Sequence, residues 1–181
     1  MAKLSGKTVA ILVDNYFEEA EFTGPLKALQ KAGAKVDIIA AEPEDGHVQA
    51  MNHVDRGNEF PIDKLLEEAD ISQYDALVLP GGAINADQLR MQPKARDWVR
   101  KMMETGKPLA VICHAPWVLA SAGLAKGRKL TSFFTIQDDM IDAGADWVDE
   151  AVVVDGNLIT SRKPDDVPAF NNALISALAA A

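Results

Sequence analysis

The sequence predicts a single α/β domain built on a mostly parallel sheet. The chain opens with an apolar run, a helix-forming segment and a second apolar run, and the same alternation recurs around its lone cysteine. The opening elements are a buried strand over Thr8–Val13, a helix that ends near Ala32, and a strand over Val36–Ala40. Short connections between such elements are typical of parallel β-α-β units. With 181 residues, the chain fits one domain, 1–181, with enough core to fold without disulfides or metals.

The loop after the first strand is acidic. Its sequence D-N-Y-F-E-E-A-E-F contains Asp14, Glu18, Glu19 and Glu21. A loop that holds phosphate at this position is rich in glycine, so that backbone N–H groups can reach the ligand. Because this loop repels phosphate, we expect no flavin mononucleotide, dinucleotide or ATP, and no cofactor.

The remaining periodic segments complete the predicted fold. The stretch 44–61 is interpreted as a hairpin or ribbon at the edge of the sheet, because short β-like pieces surround a glycine turn. His47 and His53 fall in it without the spacing of metal ligands, so we expect no metal site. Further along, the patterns predict a helix over 63–69, a buried strand over Ala76–Leu79, a helix over Pro93–Thr105, a strand over Leu130–Phe133, a helix over Ile136–Ala143, a hairpin over Val152–Thr160 and a C-terminal helix whose first turn holds Asp165 and Asp166.

The charge balance restricts the possible partners. Lys and Arg number 18 and Asp and Glu number 27, so the net charge is −9. This balance argues against nucleic acid or an anionic membrane as a partner. The N-terminal M-A-K-L-S-G-K is unlike a signal peptide, and no apolar run approaches the ~20 residues of a membrane span. A single cysteine precludes an internal disulfide, so we expect a soluble protein of the reducing cytoplasm.

The cysteine lies where a predicted strand gives way to a predicted helix. Leu109–Ile112 is a short apolar run, and the helix begins at Pro116, so Cys113 occupies the corner between them. A tight strand-to-helix turn of this kind lifts a nucleophile to the carboxyl edge of a sheet. Helix N–H groups and cationic neighbours lower a thiol pKa to roughly 3.5 to 7.5, so we expect a reactive thiolate beside His114. The alternative is a small core side chain, because free cysteines are commonly buried.

The segment A-V-I-C-H-A-P-W-V-L-A-S-A-G-L, followed by K-G-R-K-L-T-S, resembles the core signature of the PfpI family of intracellular proteases. That family belongs to a superfamily of stress-protective proteins associated with deglycation and glyoxalase activity. The resemblance extends from T-V-A-I-L-V-D to T-S-R-K-P-D-D-V-P-A-F. It implies a three-layer flavodoxin-like sandwich with a nucleophile elbow. One position departs from the pattern, because Ala115 stands where members often carry glycine and its methyl group could restrict approach to the site.

The resemblance also implies a set of site residues around Cys113 and His114. F-E-E-A-E matches a family pattern whose first glutamate approaches the sulfur, which assigns Glu18, whereas the helix dipole alone accounts for Glu19 and Glu21. Gly82, with Gly81 as the weaker choice, would supply N–H groups to an oxyanion. Asp87 in D-Q-L-R would reach His114 of a neighbouring subunit, so that a homodimer or higher oligomer completes the site.

Two classes of function remain open from the sequence. The first is an enzyme that uses Cys113 as nucleophile on a peptide bond or on a small dicarbonyl or its adduct. The second is a stress-response sensor or chaperone in which the cysteine is oxidised to a sulfinic acid without turnover. A glutamine amidotransferase is disfavoured, because its triad needs a histidine well downstream of the cysteine and no histidine follows His114.

Overall fold

A central sheet of seven strands separates two layers of helices. The computed structural model describes residues 3–181. The strand order is β11-β12-β8-β7-β1-β3-β6, and all neighbours are parallel except β11 and β12. These strands are β1 (Thr8–Val13), β3 (Lys35–Ala40), β6 (Lys64–Leu65), β7 (Ala76–Leu79), β8 (Leu109–Ile112), β11 (Val152–Asp155) and β12 (Leu158–Ser161). The predicted three-layer α/β sandwich with a mostly parallel sheet is confirmed.

The helices cover both faces of this sheet. Their bounds are α1 (Glu19–Lys31), α2 (Ala83–Met91), α3 (Pro93–Thr105), α4 (Pro116–Ser121), α5 (Gln137–Asp142) and α6 (Val167–Ala180). Along β1, Val9 and Ile11 pack in the core with α1 and α6, whereas Ala10 and Leu12 pack in the core with α2, α3 and α4. Successive side chains of a strand point to opposite faces, so a strand buried on both sides is apolar at every position.

The ribbon predicted over 44–61 is a hairpin, but it does not extend the main sheet. Strands β4 (His47–Asn52) and β5 (Asp55–Pro61) are antiparallel, and β4 pairs in parallel with the two-residue strand β2 (Phe17–Glu18). The three strands form a separate small sheet. The tip of the hairpin is thereby joined to the residues that immediately precede α1.

Two other segments differ from their predicted structure. The helix expected over 63–69 is wrong, because β6 pairs with β3 and places Lys64 opposite Ile39. The strand expected over Leu130–Phe133 is reduced to β9 (Lys129–Leu130), which pairs with β10 (Asp146–Trp147). Within residues 3–181, no helix combines the length and apolar character needed to cross a bilayer.

Candidate active site

Cys113 lies on a strained turn at the carboxyl end of β8. Its φ is +66°, in the left-handed region that costs a residue with a side chain about 1 to 3 kcal/mol. Its N–H donates to the carbonyl of Ser161 at 3.1 Å, and its carbonyl accepts the N–H of Phe133 at 2.8 Å. The nucleophile elbow predicted from the apolar run and Pro116 is therefore present. Backbone hydrogen bonds on both sides of Cys113 hold this conformation.

His114 turns back onto the neighbouring sulfur. Its Nδ1 lies 3.2 Å from Cys113 Sγ, and its Nε2 lies 3.3 Å from Thr135 Oγ1. The ring stacks on Phe133 at a centroid distance of 4.8 Å. Burial lowers the pKa of His114, so the imidazole is neutral near pH 7 and can either accept or donate a proton.

The carboxyl group beside the sulfur belongs to Glu21. Glu21 is fully buried, and its Oε1 accepts the N–H of Gly81 at 3.1 Å. A Cβ added at Gly81 would lie 2.5 Å from both Cys113 Cβ and Glu21 Oε1, so the three residues are in direct contact. Glu21 Oε2 is buried and accepts no conventional hydrogen bond from residues 3–181, which leaves this oxygen free to carry a proton.

The assignment of Glu18 as the partner of the sulfur therefore needs correction. Glu18 lies on β2, before α1 begins, and its carboxylate accepts the N–H of His53 at 3.1 Å. Glu21 lies inside α1, on the face that also buries Phe22 and Pro25. Because the chain changes from strand to helix between the two glutamates, they do not share one helix face. No sequence signal distinguished the two glutamates, because only the packing of α1 shows that Glu21 is buried.

The buried Glu21 and Cys113 oppose one another's ionisation. Burial, and then the charge of Glu18, raises the pKa of Glu21 to about 8. Burial, and then the charge of Glu21, raises the pKa of the Cys113 thiol, whereas N–H groups of Gly82 and His114 act against this shift. Burial and the charge of Glu21 thus act against the low thiol pKa that the strand-helix corner predicts. Instead, the pair retains at least one proton near pH 7, and its titration belongs to both groups together.

The two glycines after β7 have different positions in the site. The N–H of Gly81 is already donated to Glu21, whereas the N–H of Gly82 is near enough to Cys113 to act against the rise in its pKa. Gly82 has φ +92°, and an added Cβ would lie 2.7 Å from the carbonyl oxygen of Tyr16. No larger residue fits there without moving the backbone. Of the two predicted oxyanion donors, Gly82 is therefore the one whose N–H is not already donated to Glu21.

A cavity of about 330 Å³ opens above the sulfur. One part, which we call the reactive wall, consists of Glu21, Gly82, Cys113 and His114. A second part, the hairpin wall, consists of Glu18, Met51, His53 and Val54. The sequence pattern alone gave no indication that the hairpin of β4 and β5 borders the site, because that contact depends on the pairing of β4 with β2.

Two further sequence-predicted positions lie away from the cavity. Asp87 is exposed on α2, and its side chain forms no hydrogen bond or ion pair with residues 3–181. Ala115 is fully buried in the core, with φ −60° and ψ −23°, an ordinary helical conformation. Its methyl group therefore packs inside the protein and does not restrict approach to the sulfur.

The chain is similar to known proteins over nearly its whole length. The model of the DJ-1/PfpI family matches residues 7–177. The chain is 41% identical over 170 residues to the protein named Deglycase PfpI of Pyrococcus furiosus, covering 94% of this chain and 98% of the relative. It is 39% identical over 172 residues to YraA of Bacillus subtilis, provisionally named a cysteine protease, covering 95% of this chain and 98% of the relative.

A solved structure extends the comparison to the fold. The crystal structure of DJ-1beta from Drosophila melanogaster superposes with a TM-score of 0.87 at 30% identity, covering 97% of this chain and 91% of the other. The family match spans nearly the whole chain and includes the strand, the elbow and the buried glutamate described above. The protein therefore belongs to the DJ-1/PfpI family.

Proposed function

We propose that this protein is a cysteine-dependent deglycase that removes small dicarbonyl adducts from amines, with a glyoxalase reaction on the free dicarbonyl as its simpler form. The observation that carries this proposal is the buried Cys113–Glu21 pair at the base of a small cavity. At about 330 Å³, the cavity is at the lower end of the range for ligand pockets. That volume suits a three-carbon carbonyl unit better than several residues of an extended peptide.

The chemistry can be written without an external oxidant or reductant. For an adduct R–NH–CH(OH)–CO–CH3, the sulfur of Cys113 bonds to the carbinol carbon, the C–N bond breaks, and the amine leaves with the thiol proton. The resulting hemithioacetal isomerises when the carbon bonded to sulfur loses its hydrogen as a proton and its hydroxyl group loses a proton, while the adjacent carbonyl carbon and its oxygen gain one proton each. This internal exchange oxidises the first carbon and reduces the second, which gives a lactate thioester. Water then cleaves the C–S bond, which releases lactate and restores the thiol.

The site residues have distinct roles in this scheme. Glu21 holds the remaining proton of the pair while the sulfur is ionised, and it passes this proton to the leaving amine. His114, with Nδ1 at 3.2 Å from the sulfur, moves protons to and from the substrate carbons. The N–H of Gly82 stabilises negative charge as it develops on oxygen or sulfur.

The proposed site is completed by a second copy of the chain. His114 Nε2 meets only the hydroxyl of Thr135 within residues 3–181, so no carboxylate of the same chain orients the ring. The exposed Asp87 on α2 is the candidate to do so from the partner, as the family resemblance implies. Exposed apolar side chains near the site, Ile84 and Phe134, suit a self-association surface. We place this oligomer in the reducing cytoplasm, where a lone thiol stays reduced.

Peptide cleavage is the second candidate, because one relative carries a protease name. Purified protein would be incubated separately with methylglyoxal, with its adduct on Nα-acetyl-lysine, and with a fluorogenic peptide. We expect lactate from the first two substrates and none from a Cys113→Ala variant. Peptide cleavage without lactate would overturn the deglycase assignment. If wild type forms no product from any of the three substrates while Cys113 is reduced, the enzyme proposal as a whole is contradicted.

A further inference from the structure

A buried amide on α2 binds the main chain of the site without lining the cavity. Asn85 is fully buried, and it is not among the described residues that border the cavity. Its Nδ2 donates to the carbonyls of Pro80 at 3.0 Å and Gly81 at 2.9 Å, and its Oδ1 accepts the N–H of Asp14 at 2.7 Å. All three partners are main-chain groups, so this one side chain joins the segment that follows β1 to the loop that follows β7.

The carbonyl of Gly81 is the partner that bears on the reaction. It accepts the side chain of Asn85 at 2.9 Å and the main-chain N–H of Glu18 at 3.3 Å. The usual range for an N–H···O bond is about 2.7 to 3.2 Å, so Asn85 makes the better of the two bonds. Glycine stands on both sides of the Gly81–Gly82 peptide, and a glycine restricts its own φ and ψ less than any other residue. The orientation of this peptide therefore depends on the donors that hold its carbonyl, and chiefly on Asn85.

That orientation decides where the N–H of Gly82 points. The peptide bonds of the described residues are trans, and the C=O and N–H of a planar trans peptide point in opposite directions. A carbonyl held by Asn85 therefore sends the N–H of Gly82 to the other side of the peptide. The N–H is near enough to Cys113 to act against the rise in the pKa of the thiol. Because linked hydrogen bonds polarise one another, the Asn85 bond also makes this N–H a stronger donor.

We propose that Asn85 is a positioning residue that holds the Gly81–Gly82 peptide so that the N–H of Gly82 faces the negative charge formed at Cys113. This inference rests on the proposed function and deepens it by naming the residue on which the oxyanion donor depends. Without the amide of Asn85, the peptide can rotate and turn its carbonyl oxygen toward the sulfur, where it repels the charge that the N–H stabilises. Because Asn85 does not contact the substrate, its loss acts on kcat and leaves KM nearly unchanged.

The first test observes this peptide directly by NMR and requires no reaction. Gly81 and Gly82 are the only adjacent glycines in the chain. Glycine enriched at both its carbonyl carbon and its nitrogen therefore gives a single signal in which an enriched carbonyl is coupled to the N–H of the next residue. We expect the Gly82 proton of wild type to move as pH rises through about 8, and to move less in Cys113→Ala, so that the difference reports on the sulfur. In Asn85→Ala, it should move no further than in Cys113→Ala.

The second test separates kcat from KM with methylglyoxal as substrate. Asn85→Ala should lower kcat about 10- to 100-fold and leave KM within about twofold, because loss of an oxyanion donor lowers kcat by about 100- to 1000-fold and this donor is displaced but not deleted. Asn157 provides a matched control, since its Nδ2 also donates to two main-chain carbonyls, those of Met102 and Lys107, at 3.0 and 2.7 Å. It lies at the opposite end of β8, where its carbonyl accepts the N–H of Leu109. Asn157→Ala should leave both constants within about twofold of wild type.

The outcomes that contradict this role of Asn85 are specific. An unchanged kcat in Asn85→Ala, or a Gly82 proton that moves there as far as in wild type, would overturn the inference. Should Asn85→Ala fail to fold, Asn85→Ser keeps one hydroxyl donor and should show an intermediate kcat and an intermediate movement. Should neither variant fold, a wild-type Gly82 proton that moves no further than in Cys113→Ala still contradicts the inference. Because the NMR signal needs no turnover, it distinguishes failure here from failure of the proposed deglycase activity.

Discussion

At the scale of single residues, the central feature is a proton shared between a thiol and a carboxyl group. Burial makes two negative charges at Cys113 and Glu21 too costly, so the first ionisation near pH 8 removes one proton from the pair. The doubly protonated form contains a neutral thiol and is unreactive. Reactivity of Cys113 should therefore increase as the pH rises through about 8.

A pH series of alkylation rates tests this shared proton. With iodoacetamide, wild-type Cys113 should react faster as pH rises, with an apparent midpoint near the Glu21 pKa of about 8. Glu21→Gln should lack that step and should lose about 100-fold or more in kcat/KM, since no group remains to hold the proton. Glu19→Gln, at the neighbouring position, serves as the matched control. A wild-type midpoint well below 7 would restore the low-pKa thiolate that the sequence suggested.

At the scale of elements, the site depends on how closely the loop after β7 approaches its neighbours, which are β2 on one side and Cys113 with Glu21 on the other. The loop after β7 passes beside β2 so closely that Gly82 has backbone atoms of Tyr16, Phe17 and Glu18 within 2.9 Å of where a Cβ would lie. The nearby Gly81 leaves the space in which Cys113 and Glu21 meet. The glycines here are needed mainly for space, and at Gly82 also for a positive φ.

A pair of alanine substitutions separates these two requirements. Gly106 has φ +72° and no atom within 4 Å of the position that an added methyl group would take, so Gly106→Ala carries only the backbone cost, about 1 kcal/mol. Gly82→Ala adds a clash with the main chain and should cost at least about 2 kcal/mol more. Urea denaturation of both variants measures the difference. Equal losses of unfolding free energy would mean that β2 can move away from the loop.

At the scale of the whole molecule, the proposed site spans two chains. If Asp87 acts on His114 of a partner, Asp87→Asn and Cys113→Ala are each inactive alone but complement one another. Mixing equal amounts after dissociation should restore about a quarter of wild-type activity in a dimer, because half of the molecules are heterodimers with one intact site each. Size-exclusion chromatography would establish the oligomer. Activity in Asp87→Asn alone, or none in the mixture, contradicts a site completed in trans.

The buried acids also couple stability to pH. The pKa of Glu21 rises from 4.5 to about 8 on folding. Its contribution to the free energy of unfolding is therefore fully present below about pH 4.5 and is lost progressively as pH rises through 8. Asp14, whose pKa burial raises to about 6, acts with the same sign in a lower window. Thermal unfolding of wild type should therefore show Tm falling between about pH 5 and 9, by an amount equivalent to several kcal/mol. Glu21→Gln should flatten most of this decline, and an equally steep decline in that variant would contradict the assignment.

Much of this architecture follows from sequence pattern. The strand, corner and helix around Cys113 were predicted because a four-residue apolar run and a proline leave few alternatives for the backbone. The helix expected over 63–69 failed for a tertiary reason, since Lys64 reaches Asp37 and Tyr74 across the sheet edge and the segment joins β3 as a strand. Local periodicity contains no information about such partners.

The chemistry of the site was less predictable than its location. Which glutamate meets the sulfur depends on where strand β2 ends and α1 begins, and two acids three residues apart look alike in the sequence. The raised pKa of Cys113 likewise depends on how deeply Glu21 is buried beside it. Both properties arise from packing between distant segments, so they require coordinates.

The separate three-stranded sheet has a consequence for how the protein can evolve. Its hairpin, β4 and β5, joins the rest of the site through the short strand β2, while the nucleophile and its proton partner belong to the main sheet and α1. Mutations at exposed hairpin positions such as Val54 can therefore accumulate with little effect on the reaction machinery, whereas Phe60 packs on Phe17 and Phe22 next to Glu21. Descendants of such a chain could exchange one hairpin for another and acquire new substrates while inheriting the same chemical step.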